Sequence, residues 1–261
     1  MITTIHEITD FLEQFAPAHL AEEWDNVGLL VGDGRREARK VMTCLSITPA
    51  SAAEAIEEKA DLIVTHHPLP FTAMKRLTTD TTPGQLLWDL IAQRISIYSP
   101  HTAFDSAREG INQRLAVGLG LRGIQPLVPV EEGLGAGRWG WLEEPLTLAQ
   151  LCERLKMFLH IDRLQVVGDP ARSIRTVAVA CGAADELLAA AQANGCDSMV
   201  IGEARFHTCL EAEASGIAML LPGHFASERF AVECLAEVLS KQFPQLKVWP
   251  SCRERNPLQW M

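Results

Sequence analysis

KVMTCLSITPASAAEAIEEKADLIVTHH, Lys40 to His67, decides the fold. KVMTCLSIT reads as a strand, and PASAAEAIEEKA follows as a helix with Pro49 in its first turn, where a missing N–H is harmless. DLIVTHH is then a second strand, closed by two adjacent histidines. Strand, helix and strand in so short a span make a βαβ unit, whose right-handed crossover sets the two strands parallel. Ligands of open α/β sheets settle outside the carboxyl ends of strands, and His66 and His67 stand at such an end. Within a strand their side chains would leave on opposite faces; where the strand frays into a loop, both rings can turn toward one crevice. An isolated pair reads as a turn with one ring packed and one solvated, so it acquires chemical meaning only if other ligands converge on it.

Upstream, Ile5, Ile8, Leu12 and Phe15 recur at helical spacing in TTIHEITDFLEQFAP, with Pro17 as the stop, and VGLLVGD reads as another strand. Downstream a second unit of the same kind appears: TVAVACG (Thr176 to Gly182), the alanine-rich AADELLAAAQANG, then CDSMVIGEARFH. Each helix gives way to an aspartate, Asp61 or Asp197, ahead of a strand that ends in polar residues and histidine. LTLAQLCERLKMFLH is a helix with Thr147 as N-cap, and HFASERFAVECLAEVLSKQFP a last one with Phe230, Cys234, Leu235 and Val238 on one face. The Gly- and Pro-rich stretch Gly120 to Leu148 is expected to be the crossing between domains. The expected architecture is therefore α/β, with two α/β domains and mostly parallel sheets. Residues 1–124 plus 218–261 are expected to form one discontinuous α/β domain, the one that carries His66 and His67, and residues 125–217 the second.

The chain has 261 residues, 48% of them hydrophobic and 21% charged, the balance of an ordinary soluble globular protein. Its formal charge of −10 argues against nucleic acid or an anionic membrane as partner, since both attract clustered Lys and Arg. No window is long and apolar enough for a membrane span, and MITTIHEITDFLEQFAP lacks the basic head and apolar run of a secretory signal. The 7 cysteines are odd in number, scattered and never spaced as CxxC, which suits small hydrophobes in a reducing cytoplasm.

Two further pairs give the histidines company. SPHTAFDSA sets His101 and Asp105 four apart, and PGHFASERF does the same for His224 and Glu228, a spacing that puts both side chains on one helical face. Each pair alone reads equally as solvated partners on a helix. Together with His66 and His67, in a chain holding only 8 histidines, they suggest a metal site. Nitrogen and oxygen ligands without thiolates point to Zn, Fe, Mn or Co. His66, His67, His101, Asp105, His224 and Glu228 exceed the needs of one tetrahedral ion, whereas two ions roughly 3.5–4 Å apart and bridged by a carboxylate would use them all.

WDNVGLLVG, ADLIVTHHPLPF, SPHTAFD and GEARFHTCLEAEASGIAMLLPGHFASER, in that order between Trp24 and Glu237, resemble the Nif-three-like family of GTP cyclohydrolase 1 type 2 homologues. The resemblance implies two α/β domains with a dinuclear metal site in the cleft between them, in a toroidal homohexamer. It implies that His66 and His67 bind one ion each, Asp105 binds one, His224 completes the other and Glu228 bridges both. His101 is either a sixth ligand or a hydrogen-bonding support. Glu203, Arg205 and His207 of GEARFH match a motif that faces the metals: Arg205 suits an anionic oxygen and His207 proton transfer. An ion pair between Glu203 and Arg205 at a strand end is the competing reading. Asp25 and Asn26 are expected to brace the cleft wall through the backbone, or Asn26 to cap a turn, the preferred reading.

Other features carry less. Gly135 and Gly137 lack the Lys and Ser or Thr of a P-loop, GDGRREARK reads as a solvated turn, and Trp24, Trp88, Trp139 and Trp141 are taken as core or interface residues. The functional expectation is a metal-dependent hydrolase acting on a small molecule, with His207 as acid and water activated by two divalent ions. The alternatives are a metal-containing assembly protein without turnover and a dinuclear phosphoesterase.

Overall fold

The computed structural model describes residues 2–259, and the chain divides into two compact units: Met1–Phe104 with Ala231–Met261, and Asp105–Phe230. In unit 1, β1 (Thr3–Thr4) leads into α1 (Ile5–Phe15), which buries Ile5, Ile8 and Leu12. Its start is a capping box, Thr4 accepting from the Glu7 N–H while the Glu7 carboxylate accepts from the Thr4 N–H at 2.7 Å. Then come β2 (Gly28–Val31), β3 (Glu37–Ala38), β4 (Lys40–Cys44), α2 (Pro49–Glu57), β5 (Leu62–Thr65), α3 (Thr82–Ala92) and β6 (Ser96–Ser99). The expected βαβ unit is present: β4 and β5 pair in parallel, Cys44 opposite Thr65, and Pro49 occupies the first turn of α2 behind the N-cap Thr48. α4 (His101–Ser106) begins in unit 1 and ends in unit 2.

Unit 2 continues with α5 (Ile111–Gly118), β7 (Arg122–Gln125), β8 (Val128–Glu131), β9 (Leu134–Ala136), β10 (Arg138–Thr147), α6 (Leu148–Leu159), β11 (Gln165–Val167) and β12 (Ser173–Ala180). After these come α7 (Leu188–Ala193), β13 (Ser198–Ile201), α8 (Phe206–Ser215) and β14 (Ala218–Leu221). α9 (His224–Gln242) starts in unit 2 and runs into unit 1, where β15 (Lys247–Pro250) closes the chain's strands. Both passages between units therefore lie inside helices.

Unit 1 holds a five-stranded sheet ordered β15-β4-β5-β6-β2, parallel except at the β2 edge. Unit 2 holds a six-stranded sheet ordered β11-β14-β13-β12-β10-β7, in which only β12, β13 and β14 run parallel. The mostly parallel pattern expected of both sheets thus needs correction for the second. Gly120 to Leu148, expected to be a crossing, instead builds β7 to β10. Its turns are short, Gly133 with φ +74° sitting between β8 and β9, and short turns permit only antiparallel neighbours. Along the chain, the two compact units change over at Phe104/Asp105 and Phe230/Ala231. Leu115 and Ala116 of α5 belong to the core that β10, β12 and β14 share with α6.

The parallel strands of unit 2, β13, β14 and the second half of β12, are buried on both faces. Val177, Val179, Val200 and Leu220 pack with Leu148, Leu151 and Leu155 on one side, and Ala178, Met199, Ile201 and Met219 with Leu188 and Ala191 on the other. The aspartates that recur before β5 and β13 have a common job. Asp61 accepts from the backbone N–H of Arg39 and Lys40 at 2.8 and 3.1 Å, and Asp197 from those of Arg175 and Thr176 at 2.8 Å each. Each one fastens the start of the neighbouring strand, so the likeness between the two sequence units is a likeness of strand register. Among the described residues no helix is long and apolar enough to cross a membrane, and the cysteines form no disulfide.

Glu54 of α2 secures the return of the chain in unit 1. It accepts from Trp249 Nε1 (3.1 Å), Ser251 Oγ (2.7 Å) and the N–H groups of Cys252 (3.0 Å) and Arg253 (3.0 Å). Burial alone would raise its carboxyl, but these hydrogen bonds outweigh burial and hold it below the usual glutamate value. A depressed folded-state value means that the stabilisation is complete above the unfolded glutamate value of about 4.3 and is lost as pH falls through the folded one. Denaturant titrations of Glu54→Gln and the parent protein are expected to differ at neutral pH and to converge under acid. A difference independent of pH would show that the carboxylate charge contributes nothing there.

Candidate metal centre

Three imidazoles meet at the carboxyl ends of β5 and β6. Just past β5, the His66 N–H donates to Cys44 O (3.0 Å) and the His67 N–H to Leu45 O (2.8 Å), while Ser99 Oγ donates to His66 O (2.6 Å). The backbone of the pair is thus held by both neighbouring strands, and the rings can face one direction. Ring centroids lie 5.1 Å apart for His66 and His67, 5.1 Å for His66 and His101, and 5.6 Å for His67 and His101. One ring nitrogen from each falls within 4.8 Å of the others, the spacing of ligands around a single cation. His66 and His101 are buried and His67 half-buried.

Supports on the far side of two rings fix their orientation. Ser46 Oγ is 2.7 Å from His67 Nδ1, and Asp25 Oδ1 is 2.7 Å from His101 Nδ1, which in each case directs Nε2 outward. The other Asp25 oxygen accepts from the Thr102 N–H (3.1 Å) and hydroxyl at the start of α4. Burial would raise the Asp25 carboxyl, yet the hydrogen bonds from His101 and Thr102 prevail and bring it down to about 2. His101 itself has φ +25°, a left-handed backbone that a non-glycine residue adopts only when its surroundings hold it there, as Asp25 does.

Unit 2 carries a second group. His224 opens α9 with Nε2 3.0 Å from Glu228 Oε2 and Nδ1 3.0 Å from Glu203 Oε1. Hydrogen bonding to Glu228, with further support from Glu203, outweighs burial and raises His224 to about 9. Gly182, at φ +61°, makes room for this group: a Cβ there would stand 2.4 Å from Glu228 Oε1 and 3.4 Å from His224 Nε2. Ser227 Oγ accepts from the Gly182 N–H at 3.0 Å and donates to His224 O at 2.8 Å. Asp105, one turn after His101 on α4, receives the Cys181 thiol at 3.1 Å from its Oδ1. Burial, reinforced by the charges of Asp105 and Glu228, pushes the Cys181 thiol well up, so it stays a protonated donor. Asn112 braces both, donating to Asp105 O (3.2 Å) and accepting from the Cys181 N–H (2.7 Å).

The remaining expectations fall out differently. Glu203 and Arg205 do not pair with each other: Glu203 supports His224, and Arg205 pairs with Asp185. His207 is exposed in the first turn of α8 beside Phe206, their rings 6.1 Å apart, and belongs to neither ligand group. Asn26 is not a simple turn cap, for its Nδ2 donates to Pro70 O across the loop at 2.7 Å. Asp25 accepts from the backbone N–H groups of Asn26 and Thr102 and also supports the His101 imidazole, a side-chain role not expected of it. Trp24, Trp88 and Trp141 are exposed rather than core. Cys181, treated in sequence as a small hydrophobe, proves to be a hydrogen-bonding partner of Asp105, and no spacing signal links them.

Residues 3–257 match the Duf34/NIF3 (NGG1p interacting factor 3) family. The chain belongs to that family. Among curated Duf34/NIF3 relatives, a Clostridium acetobutylicum protein named GTP cyclohydrolase 1 type 2 homolog is 33% identical over 92% of this chain and 90% of its own. A Helicobacter pylori protein named GTP cyclohydrolase 1 type 2 is 32% identical over 90% of this chain and 91% of its own. The crystal structure of a Bacillus cereus protein related to NIF3 superposes with a TM-score of 0.91 over 100% of both chains, and at 23% identity it speaks for the fold alone.

Proposed function

We propose that this Duf34/NIF3 protein is a metal-dependent hydrolase with a dinuclear divalent centre, acting on a ring carbon of a small molecule. The observation that carries the reading is the trio His66, His67 and His101, whose nitrogens lie within 4.8 Å of one another at the end of a parallel sheet. The donor chemistry fits a divalent cation: imidazole nitrogens already oriented by Ser46 and Asp25, and carboxylates of Asp105 and Glu228 held by Cys181 and His224.

In this reading His66, His67, Asp105, His224 and Glu228 would hold the two ions, Glu228 would serve both, and His101, oriented by Asp25, would be a further ligand. Zn, Fe, Mn and Co all suit such a nitrogen and oxygen set. Bound divalent ions would lower the pKa of water toward neutrality, which no side chain here achieves alone. Glu203 keeps His224 oriented. Hydrolysis of a ring C–N bond places the water oxygen on carbon and needs a proton on the departing nitrogen; His207, an imidazole outside both ligand groups, is assigned that transfer. Ring opening of GTP is the reaction suggested by the names of the curated relatives.

Elemental analysis of protein grown in metal-replete medium should return about two divalent ions per chain, and the loaded protein should hydrolyse a member of a panel of nucleotides and cyclic amides. His207→Ala should keep its metal while turnover falls by a factor of about 10² or more, the usual share of a general acid. Metal-free wild-type protein, or turnover indifferent to metal loading, would end the proposal.

A further inference from the structure

Trp24 and Phe71 leave large aromatic surfaces in water, at 62% and 52% exposure. Single exposed aromatics are ordinary, but these two are not scattered. Their rings lie 6.0 Å apart at an interplanar angle of 34°, and each meets the His101 imidazole edge-on, at 5.9 Å for Trp24 and 6.0 Å for Phe71. Both therefore meet a ring that also touches His66 and His67.

The loops that bear them are fastened on both sides. Asp25, next to Trp24, binds His101 and Thr102, and Asn26 ties its loop to Pro70, next to Phe71. The Glu22 N–H adds a bond to Thr102 Oγ1 at 3.0 Å. In the sequence WDN, the second and third residues thus fasten the loop that holds the first against the His101 imidazole. Rigid aromatic faces that remain open to solvent suit a ligand that stacks, because little ordering cost remains at binding. Phosphate groups would draw nothing from such faces and an aliphatic chain only its apolar burial, whereas a planar π-system adds stacking whatever its substituents.

We propose that Trp24 and Phe71 form a stacking platform for the planar heteroaromatic ring of a purine-type nucleotide, presenting it beside His66, His67 and His101. This deepens the hydrolase reading and rests on it for the ring's chemical fate, though the binding itself does not require turnover.

Calorimetric titration of the metal-loaded protein with GTP, ATP and inorganic triphosphate tests it. The parent protein should bind both nucleotides more tightly than triphosphate. Trp24→Ala and Trp24→Leu should weaken both nucleotides by about five- to hundredfold, the range of base stacking on an aromatic side chain, and leave triphosphate affinity and metal content unchanged. The leucine variant keeps apolar cover over the loop, so loss in both identifies the π-face rather than a folding defect. The proposal is overturned if the nucleotides bind the parent no better than triphosphate, or if folded, metal-loaded Trp24→Leu binds them as tightly as the parent. A shift to smaller species in sedimentation with nucleotide affinity intact would likewise overturn it and make the pair a contact between copies of the chain. Failure of the hydrolase reading alone looks different: no turnover, with nucleotide affinity still sensitive to Trp24.

Discussion

Glu228→Ala protein is expected to lose metal, from the proposed two ions per chain to about one or none, because in the proposed centre its carboxylate would serve both cations and could not be removed without weakening both. The residue is buried on the first turns of α9, with His224 Nε2 3.0 Å from one oxygen and Gly182 packed close against the other. The loss is doubled by its effect on His224, which is kept oriented by carboxylates on both ring nitrogens. Elemental analysis after gel filtration is the measurement, with circular dichroism to establish that the variant folds. Two tightly held ions in a folded Glu228→Ala protein would remove the shared-ligand role.

Arg138→Met should be the most destabilising single change in unit 2. Arg138 is 1% exposed, yet its guanidinium donates to Gly135 O (2.7 Å), Gly137 O (2.6 Å), Ser106 O (3.1 Å), Ala107 O (2.7 Å) and Gln113 Oε1 (3.0 Å). Burial, with the nearby charge of Arg108, brings its pKa down to about 10, still protonated at neutral pH. A thioether fills similar volume but leaves these acceptors dry, at a cost on the order of 3–5 kcal/mol. Arg138→Lys should recover only part of the loss, since an ammonium offers three donors and no planar fork. Denaturant unfolding is the check, and an unchanged midpoint for Arg138→Met would refute the account. Because the carbonyls of Ser106 and Ala107 directly follow Asp105, the same variant should also loosen metal binding.

The second unit shows where local patterns mislead. TVAVACG, its alanine-rich helix and the strand after Asp197 have the form of a βαβ unit, and β12 and β13 do pair in parallel. Glycine and proline between Gly120 and Leu148 carried the same weight as they would in a linker. Yet those residues turn four strands, and β10 pairs with both β7 and β12. Composition reports that the chain bends, and does not report what the bent segments then pair with.

At the candidate site the ligand types were readable and their supports were not. His66 and His67 announce themselves because a strand pattern stops at them, and the pairs His101 with Asp105 and His224 with Glu228 because helical spacing aligns them. Asp25 and His101 are 76 positions apart, as are Asp105 and Cys181, and no period connects either pair. Arg138 was hidden for the same reason: its acceptors are backbone carbonyls, which every residue has.

The sequence by itself determined the family, the α/β alternation and the kinds of atoms available to a cation, because these follow from side-chain chemistry and from patterns repeating within a turn or a strand. Only the tertiary structure decided the mixed sheet of unit 2, the partners of Glu203 and Arg205, and the bolting of Trp24 and Phe71 beside His101. Those depend on which distant segments share a surface. That is settled by burying both faces of the sheets at once, a condition on the whole chain rather than on any stretch of it.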